Sequence, residues 1–133
     1  MIPPFDDSGF LPPGIHPATL AEIEHRFGHE SELRRVQMES VRWMVELAIR
    51  AGAQRIVLNG SFVTDIMEPN DVDCVLLIGR GFPVDAIAEV ELNAGLPFIE
   101  MKLVGQADFD EYVNLTFGSD RMGIPKGMIE VTP

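Results

Sequence analysis

Gly60-Ser61-Phe62-Val63-Thr64, followed by Glu68-Pro69-Asn70-Asp71-Val72-Asp73, reads as the end of one strand, a turn and the start of the next. An apolar run from Arg55 through Leu58 leads into Gly60-Ser61, and the turn delivers Asp71 and Asp73 onto a second apolar run that continues to Ile78. Side chains alternate along a strand, so carboxylates two positions apart point to the same face. A strand that is otherwise apolar gains no packing from two such acids, which repel each other unless a cation lies between them. A Pro-Asn-Asp turn explains Asp71 as a surface residue but leaves Asp73, inside the apolar run, unexplained. Gly60-Ser61 offers close, donor-rich backbone suited to a phosphate.

Working outward from this stretch, strands are expected at about 55–59 and 72–78, with a single helical turn beginning at Ser61. Upstream, Ser31 caps a long helix over 32–51 that ends at Gly52, with Leu33, Val36, Val41, Met44, Val45 and Ala48 as its buried face. A shorter helix covers Ala18–Phe27, with Pro17 in its first turn and Gly28 as its stop. Residues 1–16 are too rich in Pro and Gly for a helix and form an extended arm, which Phe5, Phe10 and Leu11 pack onto the body. Downstream, Val84, Ile87, Ala88 and Leu92 mark a third helix ended by Gly95. Phe98–Val104 follows as a strand with Phe98, Glu100 and Lys102 on one face. Asp108 caps a last helix over about 109–117, and a Gly/Pro loop from Arg121 ends in a short strand. Helices flanking short apolar strands make a mixed α/β (α+β) domain, one unit over 1–133 with a short mixed central sheet.

Composition narrows the function classes. The 133 residues are 46% apolar and 23% charged, which is a globular balance. No apolar run approaches the ~20 residues that span a bilayer, and the N-terminus has no basic-then-apolar leader pattern, so a cytoplasmic location without membrane contact is expected. The formal net charge of −11 argues against nonspecific duplex DNA binding, which requires cations to neutralise phosphates. The arginines of the first half, among them Arg34, Arg35, Arg42 and Arg50, read as a solvated helix face. The single cysteine, Cys74, reads as a buried small hydrophobe. His16 braces the start of the first helix, and His25 and His29 lie near that helix's end without a zinc-ligand spacing.

Carboxylates converging on one face suit a divalent cation engaged in phosphoryl chemistry, because Mg²⁺ takes oxygen ligands and shares them with substrate phosphates. Asp71 and Asp73 would hold the metal, Gly60 would let backbone approach a triphosphate, and Ser61 would donate to phosphate oxygens. A third acid would complete the set or accept a proton from an incoming hydroxyl. Arg121 and Lys126 lie in a loop of fixed Gly and Pro spacing. They read either as contacts to nucleotide phosphates or as solvated charges.

Gly-Ser, nine residues, then Asp-x-Asp on apolar strands resembles the nucleotidyltransferase superfamily with the polymerase-beta-like palm. The chain is also similar, over nearly its whole length, to a family of small bacterial nucleotidyltransferase-like domains of unknown function. The shared residues are Ile2-Pro3-Pro4, Leu11-Pro12-Pro13-Gly14-Ile15-His16-Pro17, Gly60–Thr64, Pro69–Asp73 and Arg121-x-Gly123-x-Pro125-Lys126-Gly127. The resemblance implies a nucleotidyltransferase-like fold and Mg²⁺- or Mn²⁺-dependent transfer of a nucleoside monophosphate from a nucleoside triphosphate such as ATP. The acceptor would be a hydroxyl of a protein, an RNA or a small molecule, a partner toxin of a toxin–antitoxin pair included. It places the third carboxylate at Glu100, where the superfamily usually has aspartate. The longer side chain either still coordinates metal or marks a degenerate site. The second outcome would leave a non-catalytic, antitoxin-like binding module.

Overall fold

The computed structural model describes residues 1–116 and 126–132. The elements are β1 (Gly14–Thr19), α1 (Leu20–Phe27), α2 (Glu32–Ala51), β2 (Arg55–Asn59), a 3-10 turn (Ser61–Val63), β3 (Val72–Leu77), α3 (Ala86–Asn93), β4 (Ile99–Val104), α4 (Gln106–Glu111), a π-helical turn (Tyr112–Thr116) and β5 (Gly127–Thr132). The strands form one five-stranded sheet in the order β1-β5-β2-β3-β4. β2 runs antiparallel to both β3 and β5, whereas β3–β4 and β1–β5 are parallel pairs. The class is mixed α/β, as the sequence pattern indicated.

The sheet has two differently covered faces. Ile56, Leu58, Cys74, Leu76 and Ile129 point to one side and join the core beneath α1, α2 and α3. Alternation sends Val57, Val75, Leu77 and Met128 to the other side, where Phe109 and Val113 cover them. The second cover is small. The apolar cluster stops short of the end of that face, where Asn59 is buried, Asp73 half-buried and Glu100 exposed.

Helix α2 follows its sequence signals. The Ser31 hydroxyl accepts from the Arg34 N–H, and Gly52 takes the left-handed conformation that closes the C-terminus (φ 99°). Its inner face differs from the expected one. Val36 is exposed, while Arg34, Gln37 and Ser40 are buried with Met38, Val41 and Val45. Arg34 shares their stripe at i, i+4, i+7 and i+11, so it belongs to the core face and not to a solvated one. Helix α3 is also corrected, because Ala88 and Leu92 alone of its expected apolar set are buried, and Val84 and Ile87 are exposed.

The N-terminal segment departs furthest from expectation. Residues 14–16 belong to β1 and not to the arm, and Pro17 lies in that strand instead of the first helical turn. Two local facts explain the shift. Thr19 and Glu22 form a reciprocal capping box that fixes the start of α1 at Leu20. β1 is an edge strand, where a residue without an N–H is tolerated. His16 braces the arm and not the helix, its Nε2 lying 2.7 Å from the Pro12 carbonyl oxygen. The arm is tied in further by the Gly127 N–H donating to the Leu11 carbonyl at 2.9 Å.

At the other end of the chain, α4 begins at Gln106, which puts Asp108 inside the helix and not at its cap. Phe117 lies outside the described residues. β5, expected as a short terminal strand, is an interior strand of the sheet. Arg55 reaches across to it and makes a bidentate pair with Glu130, Nε to Oε2 at 2.9 Å.

Candidate functional site

The candidate site forms where β2 ends and β3 and β4 begin. Asn59 pairs with Asp73 across the antiparallel ladder, and Asp73 pairs with Glu100 across the parallel one. Residues directly paired share a face, so the register aligns Asn59, Asp73 and Glu100 on the sparsely covered side. Asp71 precedes β3 by one residue and adds a third carboxylate to the same end.

Electrostatics ties these groups together. Asp73 is half-buried, and its pKa is raised above its ordinary 3.8, first by desolvation and then by the negative charges of Asp71 and Glu100. Lys126 opposes the shift, which places a cation within electrostatic reach of Asp73. The β2–β5 register explains its position. Lys126 immediately precedes β5, whose Ile129 pairs with Leu58 next to the Asn59 end of β2. Among the described residues the carboxylates of Asp71, Asp73 and Glu100 accept no hydrogen bond and join no ion pair within 4.0 Å. The Ser61 hydroxyl is equally unengaged.

Gly60 is required by its conformation and by its neighbour. Its φ is 79°, and a Cβ there would overlap the Asp73 carboxylate. Gly60→Ala should therefore strain the backbone and push Asp73 aside, at a cost of about 1–3 kcal/mol. Thermal denaturation checks the stability loss. An unchanged melting temperature would show that the carboxylate does not rest over this backbone.

Arg34, which the sequence pattern assigns to a solvated helix face, instead holds the loop beyond Gly60. Arg34 is 2% exposed and sends its guanidinium into the curve of residues 61–66. Nη1 donates to the carbonyls of Phe27 (3.0 Å) and Phe62 (2.8 Å). Nη2 donates to Thr64 (2.9 Å), Ser61 (3.4 Å) and Ile66, and Nε donates to Ile66 at 3.1 Å. Burial lowers the Arg34 pKa, and the charges of Glu30 and Asp65 work against that shift. Thr64 tightens the same loop, its hydroxyl donating to the Ser61 carbonyl at 2.7 Å. Gln37, on the same stripe of α2, donates to the Pro69 carbonyl at 2.6 Å. Helix α2 thus grips both ends of the segment between Gly60 and Asp71. Periodicity is the signal that would have found Arg34, since it occupies a core position of the helical wheel.

A cavity of about 220 Å³ lies behind this loop, lined by Phe5, Arg26, Glu30, Asp65 and Met67 with Arg34 and Thr64. It is not the carboxylate site. Its Arg34 is consumed by backbone carbonyls, and its Arg26 stacks on Phe5 at 4.3 Å while bonding the Ile2 carbonyl.

The donor set is chemically suited to a hard divalent cation, being all carboxylate oxygen and mutually repelling, with the Lys126 charge only partly offsetting the repulsion at Asp73. Among the described residues, however, no group of three or more His, Cys, Asp or Glu is gathered tightly enough to hold a metal ion alone. Mg²⁺ commonly takes one or two carboxylates and completes its shell with water and substrate phosphate, and that arrangement fits the residues present. Of the residues expected at the site, Gly60, Ser61, Asp71, Asp73, Glu100 and Lys126 lie at this end of the sheet. Arg121 lies outside the described residues.

Among the described residues no helix is long and apolar enough to cross a membrane. No curated protein and no solved structure matches the chain. A family profile does, and it extends over residues 3–132, so the chain belongs to DUF6932, a family of unknown function.

Proposed function

We propose that this protein is a metal-dependent nucleotidyltransferase in which a hydroxyl of a protein, an RNA or a small molecule attacks the α-phosphorus of a nucleoside triphosphate, takes the nucleoside monophosphate and releases pyrophosphate. The observation that carries the reading is the pairing of Asp73 with Glu100 in register, beside Asp71 and over Gly60. Desolvation, and then the like charges of Asp71 and Glu100, raise the Asp73 pKa and destabilise the free protein, a cost with no structural return. Asp71 and Asp73 would hold Mg²⁺ or Mn²⁺, with Glu100 as third ligand or as acceptor of the proton leaving the attacking hydroxyl. A bound divalent cation would neutralise phosphate charge and orient the reacting oxygens. Gly60 keeps the backbone open to the triphosphate, the Ser61 hydroxyl donates to a phosphate oxygen, and Lys126 adds a positive charge. The half-buried setting of Asp73 lowers the local dielectric, which strengthens each of these contacts.

The test is incubation with labelled nucleoside triphosphates, Mg²⁺ or Mn²⁺ and candidate acceptors. Labelled product is expected, reduced on the order of 10²–10³-fold in Asp71→Asn/Asp73→Asn. Transfer at the wild-type rate in that variant would sink the assignment.

A second reading is a binding module that keeps the fold without the chemistry, for example an antitoxin-like partner of another protein. A glutamate at position 100, where aspartate is usual, favours it. It predicts no product with any acceptor and no response to Mg²⁺ with nucleotide.

A further inference from the structure

The two edges of the sheet are unlike. β1 carries Pro17, which has no N–H to offer a neighbouring chain and protects that edge. β4 is the other edge, and its six residues Ile99-Glu100-Met101-Lys102-Leu103-Val104 contain no proline. The backbone of β4 alternates between its inner neighbour and the open side. Phe98 and Val104 turn their carbonyls to β3, accepting from Val72 N–H at 2.7 Å and Ile78 N–H at 2.9 Å. By the same alternation Glu100 and Lys102 bond inward, and Met101 and Leu103 direct N–H and C=O outward. Among the described residues the outward groups of Met101 and Leu103 have no backbone partner, whereas the outward N–H of Ile99 donates to the Leu96 carbonyl at 3.2 Å and so ends the open row.

We propose that the open β4 edge is a self-association surface, whose occupant is β4 of a second copy of this chain running antiparallel about a two-fold axis at Met101. The side-chain pattern selects that partner and that register. With Met101 opposite its own copy, Glu100 stands directly across from Lys102 of the partner subunit, and Lys102 across from Glu100 of the partner subunit. Both contacts join opposite charges on the same face of the sheet. A parallel arrangement in register would instead set Glu100 near Glu100 and Lys102 near Lys102. The Glu100–Lys102 positions are non-hydrogen-bonded pairs of the new ladder, where opposed side chains come closest. On the opposite face Ile99, Met101 and Leu103 are half-buried and border a cavity of about 250 Å³ with Leu92 and Leu96, so pairing also removes apolar surface from water. The two sheets join into one, with both carboxylate sites on the same side and a lysine from each copy beside the other's Glu100.

The proposal is independent of nucleotidyl transfer, and sedimentation velocity across a concentration series at physiological salt tests it. Moderate salt is needed because copies of net charge −11 repel at low ionic strength. Wild type should show a concentration-dependent monomer–dimer equilibrium. Lys102→Glu and Glu100→Lys each place like charges opposite and should weaken association about tenfold. Mixing those two variants should restore it as a heterodimer, and so should the double exchange Glu100→Lys/Lys102→Glu. Met101→Pro removes an outward N–H without touching the β3–β4 ladder and should give a folded monomer by circular dichroism. A wild type that stays monomeric throughout, or a dimer indifferent to both single charge reversals, would overturn the proposal.

Discussion

Replacing Arg34 with methionine is expected to destabilise the fold by about 3–5 kcal/mol. Methionine keeps the hydrophobic stem and its packing, so the loss reports the guanidinium alone. That group satisfies the carbonyls of Phe27, Ser61, Phe62, Thr64 and Ile66, and a half-buried carbonyl left without a donor costs about 1–3 kcal/mol. Water re-entering the loop recovers part of each cost, which keeps the total below the sum. Arg34→Lys should recover little, because an ammonium cannot reproduce the fork that serves several carbonyls at once. Urea denaturation measures both variants. A loss under about 1 kcal/mol for Arg34→Met would mean that the loop holds its shape without the arginine.

Asp73→Asn should separate stability from activity, raising the first and removing the second. The sign follows from proton binding. The folded-state pKa of Asp73 is raised above 3.8, so the folded chain keeps its proton at pH values where the unfolded chain has released it. Stability therefore falls as pH rises from 3.8 through the raised folded value, and above that window the full cost of the charged form remains. Asparagine preserves the shape and never ionises. The variant should melt on the order of a few degrees higher at neutral pH, and the gain should shrink toward pH 4. Under the proposed function, its nucleotidyl transfer should fall with that of the Asp71/Asp73 double variant. A melting temperature that drops at neutral pH would show that the Asp73 charge is compensated in the free protein.

The parts of the fold legible in the sequence are those set by local signals. Ser31 and Gly52 bound α2 to the residue, and the apolar runs at Arg55 and Val72 became β2 and β3. Ser61 opens the expected single turn. Local signals misled at Pro17, where a residue favoured in a first helical turn served an edge strand, because the capping box at Thr19 had already fixed the helix start. The candidate residues stand out in the sequence, whereas the way the sheet gathers them does not. The Asp71/Asp73 spacing is a within-strand fact, whereas the Asp73–Glu100 register depends on a crossover through α3 that no short window contains. Lys126 reaches the site only because β5 inserts between β1 and β2, a long-range choice invisible in a Gly/Pro loop. Arg34 was hidden for a different reason. An arginine on a charged helix is usually solvated, and only the unpaired carbonyls of a loop some thirty residues away make its burial favourable.

Binding gives the most direct test of the central claim, that Gly60, Ser61, Asp71 and Asp73 form a metal–nucleotide platform. The melting temperature of the wild type and of Asp71→Asn/Asp73→Asn should be compared with and without Mg²⁺ and a non-hydrolysable nucleoside triphosphate. A ligand at a hundred times its dissociation constant stabilises by about 2.7 kcal/mol, a shift readily resolved. The account predicts an upward shift in the wild type that requires metal and nucleotide together and is absent from the double variant. A wild type that does not shift, or a double variant that shifts equally, would contradict it.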